Sequence, residues 1–263
     1  MSPILLSLIA FACVFGGTFL GMFLRKRLPG HHLSGDTKDV VRLGTGLIGT
    51  MAALVLGLLI ASANSTYETQ SGQVRQLTAN IVLLDNTLAQ YGPETNSIRN
   101  LLRHAVTTLA DRIWRENGAD SGRTEAFEAS AGALAFYDEI LKLPPRNESQ
   151  RALQARAIDT SNDLAKTRLL LFATAGGSIP MPFLVILISW LTIIFATFSL
   201  FADSNATTIS ALGLFALSAS ASIFLILELS QPFTGLMMIS AEPLRNALGP
   251  LGGAHVHQLI AHE

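Results

Sequence analysis

Three glycines near residue 45 have the spacing of a dinucleotide-binding loop. Gly44, Gly46 and Gly49 form the pattern G-x-G-x-x-G. This pattern indicates a cofactor only when it follows a strand, opens an amphipathic helix and is followed by an acidic residue about twenty positions later. Here the segment that follows is apolar on every side, and Glu68, at the matching distance, lies in a predicted helix. We therefore interpret these glycines as part of a helix and predict no dinucleotide cofactor.

The other residue types that commonly carry chemistry are few and scattered. The chain has six histidines in separate places: His31, His32, His104, His255, His257 and His262. A zinc site needs three or four converging ligands, so we predict no metal site. The single cysteine, Cys13, lies in an apolar stretch and is interpreted as a small helix residue. The sequence contains no G-x-S-x-G, H-E-x-x-H or P-loop motif, which argues against an enzyme.

Four charge-free runs dominate the 263-residue chain, which is 49% hydrophobic and 14% charged. They are Ile4–Leu24, Leu43–Ser62, Phe183–Phe201 and Ile209–Leu227. Each is close to the roughly 20 residues that a helix needs to cross a bilayer. The first run is too long for a signal peptide, no positive charge precedes it, and Arg25–Arg27 follows it. We predict an all-α integral membrane protein with four transmembrane helices. The net charge of −1 leaves no basic patch for nucleic acid.

One ionisable residue lies close to the end of a predicted span. Glu228 directly follows the charge-free run Ile209–Leu227. Ionisable groups at membrane depth are costly and often functional, so Glu228 is a candidate ion-contacting or gating residue. The alternative is an interfacial carboxylate that reaches water or pairs with Arg245.

The polar residues between spans two and three predict helices. Apolar residues repeat at alternating spacings of three and four along Tyr67–Tyr91, as in a coiled-coil seam: Val74, Leu77, Ile81, Leu84, Leu88 and Tyr91. Gly92-Pro93 ends this helix. A second helix, Thr95–Glu116, has inward positions Ile98, Leu102, Val106 (or Ala105), Leu109 and Ile113. A third, Glu125–Lys142, places Phe127, Ala131, Leu134 and Leu141 on one stripe. Asn147 caps a fourth helix, which runs to Ala175 and is broken by Gly176-Gly177.

These patterns predict four regions. Residues 1–62 hold spans one and two with a short basic loop, and residues 63–175 form an extramembrane four-helix bundle. Residues 176–229 hold spans three and four, and residues 230–263 form a C-terminal tail.

Span two carries small residues on one face. Gly49, Ala53, Gly57 and Ala61 recur at every fourth position, a spacing that lets helix backbones approach closely in lipid. We interpret them as a helix-packing face, for which Gly17 and Gly21 of span one offer a complementary surface. The alternative is that this face lines a conduit in an oligomer.

Basic residues near the spans predict the orientation. The 25–42 loop contains Arg25, Lys26, Arg27, Lys38 and Arg42, and the other side has Arg75, Lys166, Arg168 and Arg245 close to the membrane. Short loops rich in Lys and Arg stay in the cytoplasm. We therefore predict a cytoplasmic 25–42 loop and a bundle on the opposite side.

Three segments resemble a family of bacterial membrane proteins described as bestrophin-like. They are DTKDVVRLGTGLIGTMAALVLGLLIASANSTYE, GGSIPMPFLVILISWLTIIFATFSLFADSNATTISALG and IFLILELSQPFTGLMMISAEPLRNAL, and the resemblance covers Asp36–Leu248. It implies similarity to bestrophins, which are pentameric anion channels with four spans and a helical domain between spans two and three. It also implies a bacterial inner-membrane location and a homo-oligomer surrounded by lipid. Bestrophins keep the helical domain in the cytoplasm, the opposite of the charge-based prediction.

Two functions follow as hypotheses. The first is an oligomeric channel module. The second is a membrane-anchored sensor or scaffold whose bundle binds a protein partner or a small ligand.

Overall fold

The computed structural model describes residues 2–29, 35–115, 136–174, 181–203 and 205–248, and all regular structure in these ranges is helical. In chain order the elements are α1 (Pro3–Arg27), α2 (Gly35–Tyr91), a 3-10 turn (Pro93–Thr95), α3 (Asn96–Arg115), a helical stretch at 136–141, α4 (Glu148–Thr174), α5 (Met181–Phe201), α6 (Ala206–Leu229) and α7 (Glu242–Leu248). The chain divides into two compact units. The first comprises Met1–Tyr67 and Ser178–Gln231, and the second comprises Glu68–Gly177 and Pro232–Glu263.

Four helices are long and apolar enough to cross a membrane: α1, α2, α5 and α6. Each contains one of the four charge-free runs, so the predicted spans are confirmed. Local signals fix where two of them begin. The Ser2 hydroxyl accepts the N–H of Leu5 at the start of α1, and the Asn205 side chain accepts the N–H of Thr208 at 2.7 Å at the start of α6. Such N-caps satisfy backbone donors that the first helical turn leaves unpaired.

In the first unit, the backbones of α1 and α5 approach each other closely. A Cβ atom added at Gly17 would lie 2.7 Å from the carbonyl oxygen of Thr192, and one at Gly21 would overlap Ala196 and Ser199. The two glycines therefore let α1 approach the α5 backbone. The prediction that they face the small residues of span two was wrong, because α5 offers its own small residues to α1.

Polar contacts join α1 to the α5–α6 hairpin at two levels. The Ser220 hydroxyl donates a hydrogen bond to the carbonyl oxygen of Ser7 at 2.6 Å. The Arg25 guanidinium donates to the carbonyl of Ala202 and to the Asp203 carboxylate, the latter at 2.6 Å. A cation placed on the last carbonyls of α5 also complements the negative end of that helix.

The second unit is built on the predicted seam. All six seam residues of α2 are buried: Val74, Leu77, Ile81, Leu84, Leu88 and Tyr91. The five inward positions predicted for α3 are buried too, with Val106 rather than Ala105 facing the core: Ile98, Leu102, Val106, Leu109 and Ile113. These predictions are confirmed, and burial of the two stripes against apolar neighbours is what favours the packed helices over solvated ones.

The third predicted helix needs a correction. Leu141 is 50% exposed, whereas Phe136, Ile140 and Leu143 are buried. The predicted inward position Leu141 is therefore wrong, and the neighbouring Ile140, about 100° away around the helix, faces the core instead. The other predicted stripe residues (Phe127, Ala131 and Leu134) and the Gly176-Gly177 break lie outside the described residues.

Turn chemistry ends α2 and starts α4 as the sequence predicts. Gly92 has a φ of +137°, a backbone conformation that favours glycine, and the Thr95 hydroxyl donates to the carbonyl oxygen of Leu88 at 2.6 Å. The Asn147 side chain accepts the N–H of Gln150 at 2.7 Å. Gln150 in turn donates its side-chain N–H to the carbonyl oxygen of Tyr91 at 2.9 Å, which ties the start of α4 to the end of α2.

The described residues 232–248, which lie in the predicted tail, group with the second unit. α7 packs on α3, with Leu244 fully buried, and the indole N–H of Trp114 donates to the carbonyl oxygen of Ile239 at 2.8 Å.

Candidate functional site

Span two has an inward and an outward side within the first unit. Its inward side contributes Ala52, Leu59 and Ala63 to the same apolar core as α1, α5 and α6. The predicted helix-packing face lies elsewhere: Ala53, Gly57 and Ala61 are exposed and Gly49 is half-buried. A Cβ atom added at Gly49 or at Gly57 would meet nothing within 4 Å. Among the described residues, no neighbour therefore packs closely on Gly49 or Gly57 within one protomer.

The outward side of span two divides into two neighbouring stripes. One stripe, the outer small stripe, consists of exposed small or polar residues: Gly46, Thr50, Ala53, Gly57, Ala61 and Asn64. The other, the outer apolar stripe, consists of exposed large residues: Leu47, Met51, Leu54 and Leu58. Several members are eleven residues apart, for example Gly46 and Gly57, or Leu47 and Leu58, and eleven residues are close to three whole helical turns. Each stripe therefore runs nearly straight along the helix.

The two stripes suit different surroundings. Large aliphatic side chains are stable against lipid or against another apolar helix. Small side chains leave room for water. The Thr50 hydroxyl donates to the carbonyl oxygen of Leu47 at 2.8 Å, and its oxygen can still accept a hydrogen bond from water. The sequence placed Ala53, Gly57 and Ala61 on one face. The burial of the opposite side of α2 is what assigns that face to the outside.

Glu228 lies inside the protomer. It is only 3% exposed, and its neighbours Ile226, Leu227 and Leu229 are also buried. This burial runs against an interfacial carboxylate that simply reaches water. The structure does not bring Glu228 and the outer small stripe together, since one is buried on α6 and the other is exposed on α2.

An ion pair in the second unit was missed by sequence reasoning. The Arg99 guanidinium donates two hydrogen bonds to the Asp85 carboxylate, Nε to Oδ1 at 2.7 Å and Nη2 to Oδ2 at 2.9 Å. The hydrogen bond to Asp85 raises the pKa of Arg99, against the smaller opposing effect of burial. Each residue directly follows a core position, Leu84 or Ile98, and that adjacency is the signal that could have pointed to it.

Metal-binding residues do not cluster in the part of the chain that the structure describes. No group of three or more His, Cys, Asp and Glu side chains in those ranges could hold an ion. Of the six histidines, only His104 lies in a described range, where it is exposed.

Comparisons with known proteins agree on one family. The family model described as the Bestrophin-like domain matches residues 12–244. A crystal structure of a bacterial bestrophin homologue from Klebsiella pneumoniae aligns with a TM-score of 0.65 at 16% identity, over 95% of this chain and 96% of that one. A second structure of that homologue, a point mutant, aligns with a TM-score of 0.66 at 15% identity, over 95% and 96% of the two chains. At such identities the likeness shows the fold. No curated protein matches the chain.

Proposed function

Because the chain belongs to the bestrophin-like family, we propose that it is the subunit of an oligomeric ion channel whose conducting path runs along the outer small stripe of α2. The observation that carries this proposal is the exposure of Ala53, Gly57 and Ala61 on a membrane-spanning helix, with open space above Gly57. A helix surrounded only by lipid has no need of a small and polar stripe beside an apolar one.

A ring of copies gives each stripe a suitable neighbour. If the outer small stripe of every copy faces the ring axis, small side chains leave width for a hydrated ion, and the Thr50 oxygen can accept hydrogen bonds from the water around it. The outer apolar stripe, which includes Leu54 and Leu58, then faces the next copy or lipid. The path forms between copies, which is why the proposal requires a homo-oligomer.

Glu228 has a different role in this proposal. It is buried at the end of α6, and its neighbours Ile226, Leu227 and Leu229 belong to the same apolar core as Ala63 of α2. A change at Glu228 can reach α2 through this core, so we place Glu228 as a gating residue rather than as part of the lining.

Flux and mass measurements on the purified protein test the channel. Reconstituted protein is expected to conduct in planar bilayers and to have a mass in detergent that is a multiple of 28.1 kDa. A monomer, or an oligomer with no conductance, would contradict the proposal. If a preparation does not conduct but binds a protein partner through residues 63–175, the sensor or scaffold hypothesis is favoured.

A matched pair of glycine variants tests where the path lies. Gly57→Leu is expected to lower single-channel conductance severalfold, because a four-carbon side chain would narrow the conducting path in every copy. Gly16 is the control, since it is exposed on α1 with nothing within 4 Å of an added Cβ, and Gly16→Leu should leave conductance unchanged. Equal conductance in the two variants would move the path away from the outer small stripe.

A further inference from the structure

A short loop after span four is held closed by its own backbone and by an aromatic pair. The Ile239 N–H donates to the carbonyl oxygen of Pro232 at 2.7 Å, which closes the loop 232–239. The Trp114 indole N–H donates to the carbonyl oxygen of Ile239 at 2.8 Å, and the rings of Trp114 and Phe233 pack edge to face with centroids 5.9 Å apart. Phe233 and Ile239 are buried. Both ends of the loop are therefore fixed on α3.

The tip of this loop presents three large apolar side chains. Leu236 is 80% exposed, Met237 42% and Met238 58%. No charged residue occurs between Glu228 and Glu242, so the loop itself carries no charge. Grouped exposed apolar residues mark an interaction site more often than scattered ones do. A charge-free group of this kind suits an apolar partner, and its attraction should not depend on salt.

Helix register relates the base of the loop to the end of the apolar run of α2. α2 and α3 are antiparallel and joined at Asp85 and Arg99. Trp114 lies fifteen residues beyond Arg99, and fifteen residues before Asp85 is Gln70. Trp114 is therefore level with Gln70, and Glu68 is the first charged residue after the apolar run of α2. Tryptophan is enriched at this depth because its ring is apolar and its N–H is polar.

Chain length keeps the start of the loop close to the end of span four. Pro232 follows the end of α6 at Leu229 by three residues. An extended chain spans at most about 3.5 Å per residue, so the start of the loop lies within roughly 10 Å of the end of that span.

We propose that Leu236, Met237 and Met238 insert into the interfacial layer of the bilayer on the side where α6 ends. The occupant of this surface is the lipid itself, taken up by burial of apolar side chains and independent of headgroup charge. The Trp114–Phe233 pair fixes the base of the loop, so the tip enters lipid as a preformed anchor.

Fluorescence quenching in vesicles tests the insertion. Met238→Cys is made in a Cys13→Ser background, because Cys13 is exposed and would also react. The full-length protein is labelled with the dye NBD and reconstituted into phosphatidylcholine vesicles. Leu236→Cys is a second reporter, which guards against failure of one variant. Leu141→Cys is the matched control, since Leu141 is an exposed apolar residue too. It lies on a different element, the helical stretch 136–141, whose Ile140 carbonyl oxygen accepts a hydrogen bond from the Gln154 side chain of α4.

Three outcomes are distinct. If the tip inserts, doxyl-labelled phospholipid quenches NBD at positions 238 and 236 at least twofold more strongly than at 141, and iodide quenches it less. Equal iodide quenching at the tip and at 141 would show a tip in water and would overturn the proposal. Protection from both quenchers would show a tip covered by protein, such as a second copy of the chain, and would overturn it as well.

Discussion

Asp85 and Arg99 show how much one pair of side chains can contribute between two helices. Their side chains are 5% and 18% exposed, and two parallel hydrogen bonds satisfy both charges. Removing one member of a buried pair leaves the other charge without compensation. Asp85→Asn is therefore expected to lower the free energy of unfolding by about 3–5 kcal/mol, measured as a lower melting temperature in detergent.

The Lys142–Glu139 pair provides the control for this measurement. It lies on the surface with an N–O distance of 2.7 Å, and solvent screens such pairs. Glu139→Gln should leave the melting temperature unchanged. Equal shifts for Asp85→Asn and Glu139→Gln would mean that the Asp85–Arg99 pair contributes no more than a surface contact.

Glu228 can be tested by removing its charge while keeping its shape. If it is a gating residue, Glu228→Gln should change the open probability of the channel, while the ion selectivity and the oligomer mass stay those of the parent. If it is only structural, the melting temperature should fall and the open probability of the remaining channels should stay that of the parent. The decisive measurement is the open probability in single-channel recordings, with the melting curve of each preparation recorded beside it.

Single residues also show where sequence reasoning reaches its limit. The carboxylate of Glu228 stands out because it ends a charge-free run. The sequence gives no sign that Asp85 is buried, because a charged residue beside a seam position usually faces water. Arg99 reaches Asp85 only because α2 and α3 pack side by side, and the sequence pattern of either helix does not show which residues of the other it meets.

At the scale of elements, the seam of α2 was predictable because its spacing repeats over six positions. Leu84→Asp tests it, since Leu84 is fully buried. A carboxylate placed in that apolar core is expected to destabilise the second unit by several kcal/mol, seen as a large fall in melting temperature. The neighbouring residue supplies the control: Leu83 is 38% exposed, so Leu83→Asp should lower the melting temperature much less. Similar losses in both variants would contradict the assigned register.

The choice of partner between helices was less predictable than the helices themselves. Gly17 and Gly21 of α1 and Gly49 and Gly57 of α2 have equivalent small-residue patterns. The structure joins the α1 glycines to α5 and leaves the α2 glycines open. Small residues show that a helix can be approached closely, but the approaching helix is decided by the packing of all spans together. The one-position error at Leu141 has a similar origin, since a short amphipathic stretch with several apolar residues fits two registers.

At the scale of the whole molecule, four apolar runs separated by polar segments were enough to predict an all-helical membrane protein. Which side of the membrane holds the second unit follows from neither the helices nor their packing. It depends on charge bias during insertion. Arg25 illustrates the difficulty, because its guanidinium is engaged by Ala202 and Asp203 within the first unit while it also counts toward the basic 25–42 loop.

Cysteine labelling from one side of the membrane tests the predicted orientation. In a Cys13→Ser background, Asp138→Cys marks the second unit and Asp39→Cys marks the start of α2, and both positions are exposed. If the basic 25–42 loop is cytoplasmic, a membrane-impermeant maleimide added to intact spheroplasts should label position 138 and spare position 39 until the cells are lysed. The two sites control each other, since they lie on opposite sides of span two in either orientation. Labelling of position 39 alone in intact spheroplasts would place the second unit in the cytoplasm, as in the bestrophins that the sequence resembles. It would also show that the excess of basic residues in the 25–42 loop does not set the orientation of this chain.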